Sequence, residues 1–306
     1  MTTRNPIRIA PCLWFDNQAE EAAAFYTGLF PDSSITAVSR YPKGFDNPSG
    51  KEPGSVMTVE FELGGIPFTA LNGGPHFTIN PTISFIAYTP SIAETDRLAT
   101  ALADAGSYLM ELGEYPWSSR YAWVQDRFGV SWQVMTWPEA VDPAIVPCLM
   151  FAGDVHGRAE EALRQYVDVF PGGAIEALER YTADEGPEGT IKHGRASLGD
   201  QALAAMDSHL EHDARFNEAV SLQLMCRDQG EVDHYWERLS DGGEEGPCGW
   251  LKDRFGVSWQ VVPTSFIEMM KAGEGNAPGY ERAFQAMLQM KKLDIAALQA
   301  AFAGSD

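Results

Sequence analysis

Short apolar stretches and one amphipathic helix follow each other in a recurring order from the N-terminus onward. Residues Ile7–Phe15 are apolar, which predicts an extended strand. Asn17 and Glu20, three residues apart, form a capping-box pattern that predicts the start of a helix. One face of that helix carries apolar residues at helical spacing: Ala22, Phe25, Tyr26 and Leu29. Three further strands are predicted at Ser34–Arg40, Ser55–Leu63 and Pro67–Asn72.

The same order of elements begins again with an apolar strand at Ile83–Tyr88. A helix is predicted at 91–104, and further strands follow, of which the last is Val130–Thr136. The first 140 residues therefore contain two units of strand, helix and three strands (βαβββ units). Two more such units follow in the second half of the chain.

The second half repeats the first half in sequence. The nine residues Asp126–Val134 recur without a change at Asp253–Val261, 127 residues later, and Pro11-Cys12-Leu13 recurs as Pro147-Cys148-Leu149. Identity over nine consecutive positions indicates duplication, and so long a period makes each copy a domain rather than a solenoid repeat. We therefore predict two domains, 1–140 and 141–264, and a helical C-terminal extension over 265–306.

The two copies differ in length between the second helix and the last strand. The first copy has ten extra residues before Trp123, compared with the second copy before Trp250. The extra residues predict a longer hairpin in the first copy. We hypothesise that Trp117 and Tyr121 of this hairpin cover one ligand pocket.

The composition excludes several classes of partner. The chain has 306 residues and a formal net charge of −21, which disfavours binding to nucleic acid or to an anionic membrane. No apolar run approaches the ~18 residues of a membrane helix, and the N-terminus lacks the apolar core of a secretory signal. The four cysteines form no CxxC pair, which favours buried free thiols. We therefore expect a soluble cytoplasmic protein.

These patterns resemble the vicinal oxygen chelate superfamily, which includes glyoxalase, bleomycin-resistance proteins and extradiol dioxygenases. Three segments are similar to its PhnB-like branch, often labelled demethylubiquinone methyltransferase: Ala70–Phe77, Asp126–Val134 and Cys248–Asp253. The resemblance implies an α+β fold with a curved mixed sheet in each domain and a ligand cavity on the concave face. It also implies an intramolecular pseudo-dimer, and a homodimer of whole chains stays open.

The resemblance also places candidate site residues. The metal-ligand positions of superfamily enzymes fall near Cys12 and Cys148 on the first strands, at Ser84 and Ser221, and at Gln133 and Gln260. Neutral amides and hydroxyls are weak ligands for zinc or magnesium, so we predict no metal and no other cofactor, with a divalent metal as the alternative. Side chains alternate along the last strand, so if the glutamines face the cavity, their neighbouring tryptophans pack under the helices.

Several candidate residues have two interpretations. The two glutamines either contact a ligand or satisfy buried backbone groups. Asn72 and Asp207, which end corresponding strands, either line a pocket or cap a turn. The pair His209 and His212 lies in a polar loop, and this spacing is only weak evidence for a metal site.

We predict from these features a small-molecule-binding protein with its ligand in the sheet cavities. The candidate ligand-binding residues are Gln133, Gln260, Ser84, Ser221, Asn72 and Asp207. The alternatives are a metal-dependent lyase, isomerase or dioxygenase, a scaffold with closed cavities, and a methyltransferase. The last is disfavoured, because no glycine-rich turn joins a buried strand to a helix. The sequence assigns no catalytic residue.

Overall fold

The structure is a computed structural model of the chain, and it describes residues 8–43, 50–139, 141, 144–272 and 277–304. Within these ranges, sixteen strands form two eight-stranded mixed sheets, and seven α-helices pack against them. The predicted α+β fold class is therefore confirmed. No helix in the described ranges is long and apolar enough to cross a membrane.

The helices and strands of the first copy follow the predicted order closely. They are β1 (Arg8–Phe15), α1 (Ala19–Leu29), β2 (Ser34–Arg40), β3 (Val56–Leu63), β4 (Ile66–Asn72), β5 (Ile83–Thr89), α2 (Ile92–Ala103), β6 (Ser107–Tyr115), β7 (Ser118–Gln125) and β8 (Ser131–Thr136). The long β6–β7 hairpin contains the ten extra residues of this copy. It has no counterpart of equal length in the second copy.

The second copy has the same elements with a shorter hairpin, and a helical extension follows it. The elements are β9 (Ile145–Phe151), α3 (Ala159–Val169), β10 (Ala174–Arg180), β11 (Ile191–Leu198), β12 (Gln201–Asp207), β13 (Val220–Cys226), α4 (Gln229–Ser240), β14 (Glu244–Glu245), β15 (Trp250–Lys252) and β16 (Ser258–Pro263). The predicted extension consists of α5 (Thr264–Ala272), α6 (Ala277–Leu288) and α7 (Ile295–Ala303).

Each sheet combines one βαβββ unit from each copy. Sheet I has the strand order β14-β15-β16-β13-β1-β4-β3-β2, and sheet II has the order β10-β11-β12-β9-β5-β8-β7-β6. The seam of each sheet is an antiparallel pair of opening strands, β1 with β13 and β5 with β9. Two units per sheet are as expected, but they come from different copies rather than from one. The boundaries 1–140, 141–264 and 265–306 stay a prediction.

The repeated nine-residue segment builds the same buried cluster of hydrogen bonds in both copies. Asp126 accepts bonds from the Tyr26 hydroxyl at 2.7 Å, the Trp132 indole at 2.9 Å, and the backbone N–H groups of Phe128 and Val130. The second copy repeats all four bonds at Asp253, with Tyr166, Trp259, Phe255 and Val257 as donors. Because Tyr26 belongs to the unit in sheet I and Asp126 to the unit in sheet II, this cluster connects the two units of one copy across the sheets.

Both tryptophans of the repeated segment lie under the helices, as the alternation predicts. Trp132 and Trp259 are fully buried. The Trp132 ring lies 5.0 Å from the Phe30 ring, and the Trp259 ring lies 5.9 Å from the Phe170 ring, measured between centroids. Buried aromatic side chains therefore fix which face of β8 and β16 points away from the helices.

Candidate functional site

A cavity of about 780 Å³ lies on the face of sheet I that points away from α1 and α4. Its floor consists of strand residues, and the C-terminal extension forms its roof through apolar side chains. The roof includes Phe266, Met270, Phe284 and Met287. A partly enclosed apolar chamber with a few polar groups has the general form of a small-molecule site.

The floor of the cavity is a chain of neutral hydrogen-bonding side chains. The Thr69 hydroxyl donates to Gln223 Oε1 at 3.1 Å, and Gln223 Nε2 donates to Gln260 Oε1 at 3.3 Å. Gln260 Nε2 in turn donates to Ser221 Oγ at 2.9 Å. Cys12 on β1 is in register with Ser221, and its buried thiol adjoins this chain. The predicted residues Gln260 and Ser221 are thus brought together at the cavity, and Gln260 lines it.

Two tryptophans form one wall of the cavity. The rings of Trp14 and Trp250 meet edge to face with centroids 5.9 Å apart. The Trp14 indole donates to the Gly74 carbonyl at 2.8 Å, which fixes the ring against the loop after β4. Gly73 allows this approach, because a Cβ atom at that position would lie 2.2 Å from the Trp14 ring.

Acidic side chains at the edge of the cavity are paired with lysines. Glu60 lies 2.8 Å from Lys271 of α5, and Glu218 lies 2.9 Å from Lys252 of β15. The Glu60 pair also connects the extension to sheet I. Glu60 is the cross-strand neighbour of Thr69, so this ion pair lies beside the neutral hydrogen-bonded chain of the floor.

The extension is joined to the sheet by backbone hydrogen bonds. The N–H groups of Cys248 and Gly249 donate to the carbonyls of Met290 and Lys291 at 2.7 and 2.8 Å. The segment 290–291 therefore lies beside the turn that precedes β15, at the place where the first copy has its long hairpin. The Tyr280 hydroxyl makes a further bond to the Arg40 carbonyl at 2.7 Å.

The corresponding face of sheet II is filled by side chains. Gln133 Nε2 donates to Ser84 Oγ at 2.9 Å, as in sheet I, but the Tyr121 hydroxyl donates to Gln133 Oε1 at 2.9 Å and covers it. Ile86 stands at the position that Gln223 has in sheet I, since each is in register with the corresponding glutamine. Buried apolar residues complete this cluster: Val146, Cys148, Ala202 and Ala204. The two predicted pockets are therefore not equivalent.

The long hairpin contributes an aromatic group to sheet II. Tyr121 is only 4% exposed, whereas Trp117 is 43% exposed. The two rings lie 5.6 Å apart, and Trp117 also stacks on Tyr115 at 5.1 Å. Of the two residues expected to cover a pocket, Tyr121 contacts the glutamine and Trp117 lies further out.

The donor set at the floor does not fit a divalent metal ion. Cys12, Ser221 and Gln260 occupy the expected ligand positions, and burial raises the pKa of the Cys12 thiol to about 11. Metal ligation needs a thiolate or another strong donor, and a hydroxyl and an amide are poor substitutes. No group of three or more His, Cys, Asp or Glu residues in the described ranges is arranged to hold a metal.

The histidine pair of the polar loop makes local contacts. His212 Nε2 lies 2.7 Å from Ser208 Oγ, and the His209 ring meets the Tyr181 ring edge to face at 5.4 Å. Neither histidine lines the cavity of sheet I.

Asn72 and Asp207 hold helix N-termini rather than line the cavity. Asn72 Oδ1 accepts from the N–H of Ala19 at 2.9 Å, and Asp207 Oδ1 accepts from the N–H groups of Gly157 and Ala159 at 2.8 and 3.2 Å. This geometry favours the capping interpretation. The predicted capping box at Asn17 is wrong, because α1 begins at Ala19 and no side chain next to it in sequence caps it.

Sequence reasoning missed three parts of this site: Thr69, Gln223 and the roof. Gln223 could have been found from strand alternation, since it lies two residues after Ser221 and on the same face. The roof depends on how the extension folds back over the sheet. No periodic signal within the extension shows this.

Comparisons with known proteins agree with this architecture. The family model described as 3-demethylubiquinone-9 3-methyltransferase matches residues 7–135 and 143–262. A Bacillus cereus PhnB protein of the same description is 38% identical; the match covers 42% of this chain and 98% of that chain, with a TM-score of 0.38. No curated protein matches the chain.

Two solved structures are similar to this chain over most of its length. Glyoxalase I from Zea mays is 13% identical over 86% of this chain and 95% of its own, with a TM-score of 0.54. A Bacillus subtilis protein described as a dioxygenase is 13% identical over 91% of this chain and 96% of its own, with a TM-score of 0.50. These likenesses confirm the tandem fold that the sequence resemblance implies.

Proposed function

The chain belongs to the family described as 3-demethylubiquinone-9 3-methyltransferase, and we propose that its sheet I cavity binds a small uncharged organic molecule without a metal ion. The observation that carries this proposal is the neutral hydrogen-bonded floor of Thr69, Gln223, Gln260 and Ser221 beneath an apolar roof. Such a site orients a ligand through a few polar groups and retains it through apolar contact.

The charges around the cavity support an uncharged ligand. Of the four glutamates in the lining, Glu60, Glu218 and Glu245 have lysine partners and Glu244 is exposed, and the amides and hydroxyls of the floor are neutral. Burying a charge without a partner costs several kcal/mol per ion. A neutral ligand avoids this cost, and the roof methionines adapt to its shape.

Binding without catalysis is better supported than the activity in the family description. A methyl donor of the nucleotide type needs a strand that leads through a glycine-rich turn into a helix. The glycine pair after β4, Gly73-Gly74, is instead followed by Pro75 and an irregular loop that leads to β5.

The test uses the neutral fluorescent probe N-phenyl-1-naphthylamine. We expect saturable binding of one probe per chain, unaffected by EDTA, with a rise in fluorescence. Met287→Trp fills the roof and should abolish binding, whereas Gln285→Trp on the exposed side of the same helix should leave it unchanged. Absence of saturable binding, equal binding in both variants, or loss of binding with EDTA would overturn the proposal.

A further inference from the structure

On sheet II, the side chain of Tyr121 occupies the space above Gln133, which is the counterpart of Gln260 in the floor of the sheet I cavity. The Tyr121 hydroxyl donates to Gln133 Oε1 at 2.9 Å, and its ring is almost fully buried. Gln133 Nε2 donates to Ser84 Oγ, which fixes the amide so that its oxygen faces the tyrosine. The hydrogen-bond partner of the Gln133 amide oxygen is therefore a phenol hydroxyl.

Sheet I has the same pair of glutamine and serine side chains, but no tyrosine covers the glutamine. Gln260 Nε2 donates to Ser221 Oγ at 2.9 Å, the same distance as in the other half. The tryptophan two residues after Tyr121 and the tryptophan two residues after Cys248 are each in register with the corresponding glutamine. β7 continues as a strand through Tyr121, but the chain before Trp250 turns at Cys248 and Gly249, which both have positive φ. Because β15 begins only at Trp250, it has no strand residue equivalent to Tyr121, and Gln260 lines the cavity together with Cys248 of the turn.

We propose that the sheet I cavity binds a phenolic aromatic compound whose hydroxyl donates to Gln260 Oε1, as Tyr121 donates to Gln133. This inference rests on the proposed function and names the chemical class of the ligand. Gln260 Oε1 already accepts a bond from Gln223 Nε2, and an amide oxygen has a second lone pair for the phenol. The ring and its substituents then lie against Trp250 and the apolar roof.

The ligand binds in its protonated form. Desolvation raises the pKa of the Tyr121 hydroxyl far above its ordinary value, and the apolar roof of the sheet I cavity likewise favours a neutral phenol over a phenolate. A protonated phenol is a hydrogen-bond donor, which matches the accepting amide oxygen. Its methyl ether keeps the ring but has no proton to donate.

The first experiment compares biphenyl-4-ol with 4-methoxybiphenyl as competitors of N-phenyl-1-naphthylamine. We expect the phenol to bind about tenfold more tightly, the worth of one buried hydrogen bond. In the near-isosteric variant Gln260→Met, this difference should disappear. Equal displacement by both compounds in the unaltered protein, or an unchanged difference in Gln260→Met, would overturn the inference. If neither compound displaces the probe and the probe itself does not bind, the proposed function fails as well.

The second experiment removes the side chain that covers Gln133 on sheet II. Tyr121→Ala removes the internal phenol and should create a second site for p-cresol, which has the same ring and hydroxyl as the tyrosine side chain. Calorimetric titration should then give two p-cresol sites per chain instead of one. Tyr121→Phe, which keeps the ring in place, should retain one site. A Tyr121→Ala variant that stays folded by circular dichroism and gains no site would overturn the inference.

Discussion

The buried aspartates of the repeated segment predict a specific loss of stability in Tyr166→Phe. This change removes one hydroxyl, which donates to Asp253 Oδ2 at 2.7 Å, and leaves the other three donors in place. Asp253 is 3% exposed, so water does not replace the lost donor. A hydrogen bond to a charged group contributes about 2 kcal/mol. For a chain of 306 residues that unfolds as one unit, this lowers Tm by about 3 °C.

The effect also has a defined pH dependence. Burial raises the pKa of Asp253, and the hydroxyl of Tyr166 opposes this rise. A carboxyl whose folded pKa is raised contributes stability below its unfolded pKa, and this contribution is lost as the pH rises through the folded pKa. Because the variant raises the folded pKa further, Tyr166→Phe should lose more stability at about pH 7.5 than at about pH 5.

Urea denaturation at the two pH values measures both effects. Tyr26→Phe should behave in the same way, because Asp126 has the same four donors. Tyr115→Phe is the matched control, since its hydroxyl makes only an exposed bond to the Glu111 carbonyl and should contribute less than about 0.5 kcal/mol. A Tyr166→Phe loss no larger than that of the control would refute the reasoning.

Three further predictions follow from named contacts. Asn72→Ala should lower the free energy of unfolding by about 2 kcal/mol, because it leaves the N–H of Ala19 unpaired; a weaker affinity for N-phenyl-1-naphthylamine at unchanged stability would instead favour a ligand-lining role. Gly73→Ala should cost about 1–3 kcal/mol and shift the tryptophan fluorescence, because its Cβ meets the Trp14 ring; an unchanged spectrum and unfolding curve would contradict this. Burial raises the pKa of the Cys12 thiol, and Cys148 and Cys226 are also buried, so Ellman's reagent should react quickly with at most one thiol of the native protein, the half-buried Cys248. A second thiol that reacts quickly would contradict this.

The sequence predicted the elements and their faces well. Alternation along the last strand placed Trp132 and Trp259 under the helices, and the structure confirms both. Gln260, the neighbour of Trp259, lies on the opposite face of the strand and lines the cavity. These features depend on side-chain periodicity within one strand, which a single segment contains in full.

The features that depend on distant partners were not predictable. The N-terminus of α1 is capped by Asn72, which lies 53 residues away, rather than by Asn17 beside it. A sheet can be built from two units of one copy or from one unit of each copy, and the contacts within a unit are the same in both cases. The local sequence pattern therefore does not distinguish the two arrangements. The roof of the cavity likewise depends on the packing of the extension on sheet I. Only the ten-residue difference in hairpin length indicated that the two halves differ.

The most direct test of the central claim is a binding titration on protein treated with EDTA, combined with elemental analysis of the same sample. We expect N-phenyl-1-naphthylamine still to bind at one molecule per chain while zinc, iron and manganese are far below one equivalent. Binding that disappears with EDTA and returns when one of these metals is added would contradict it.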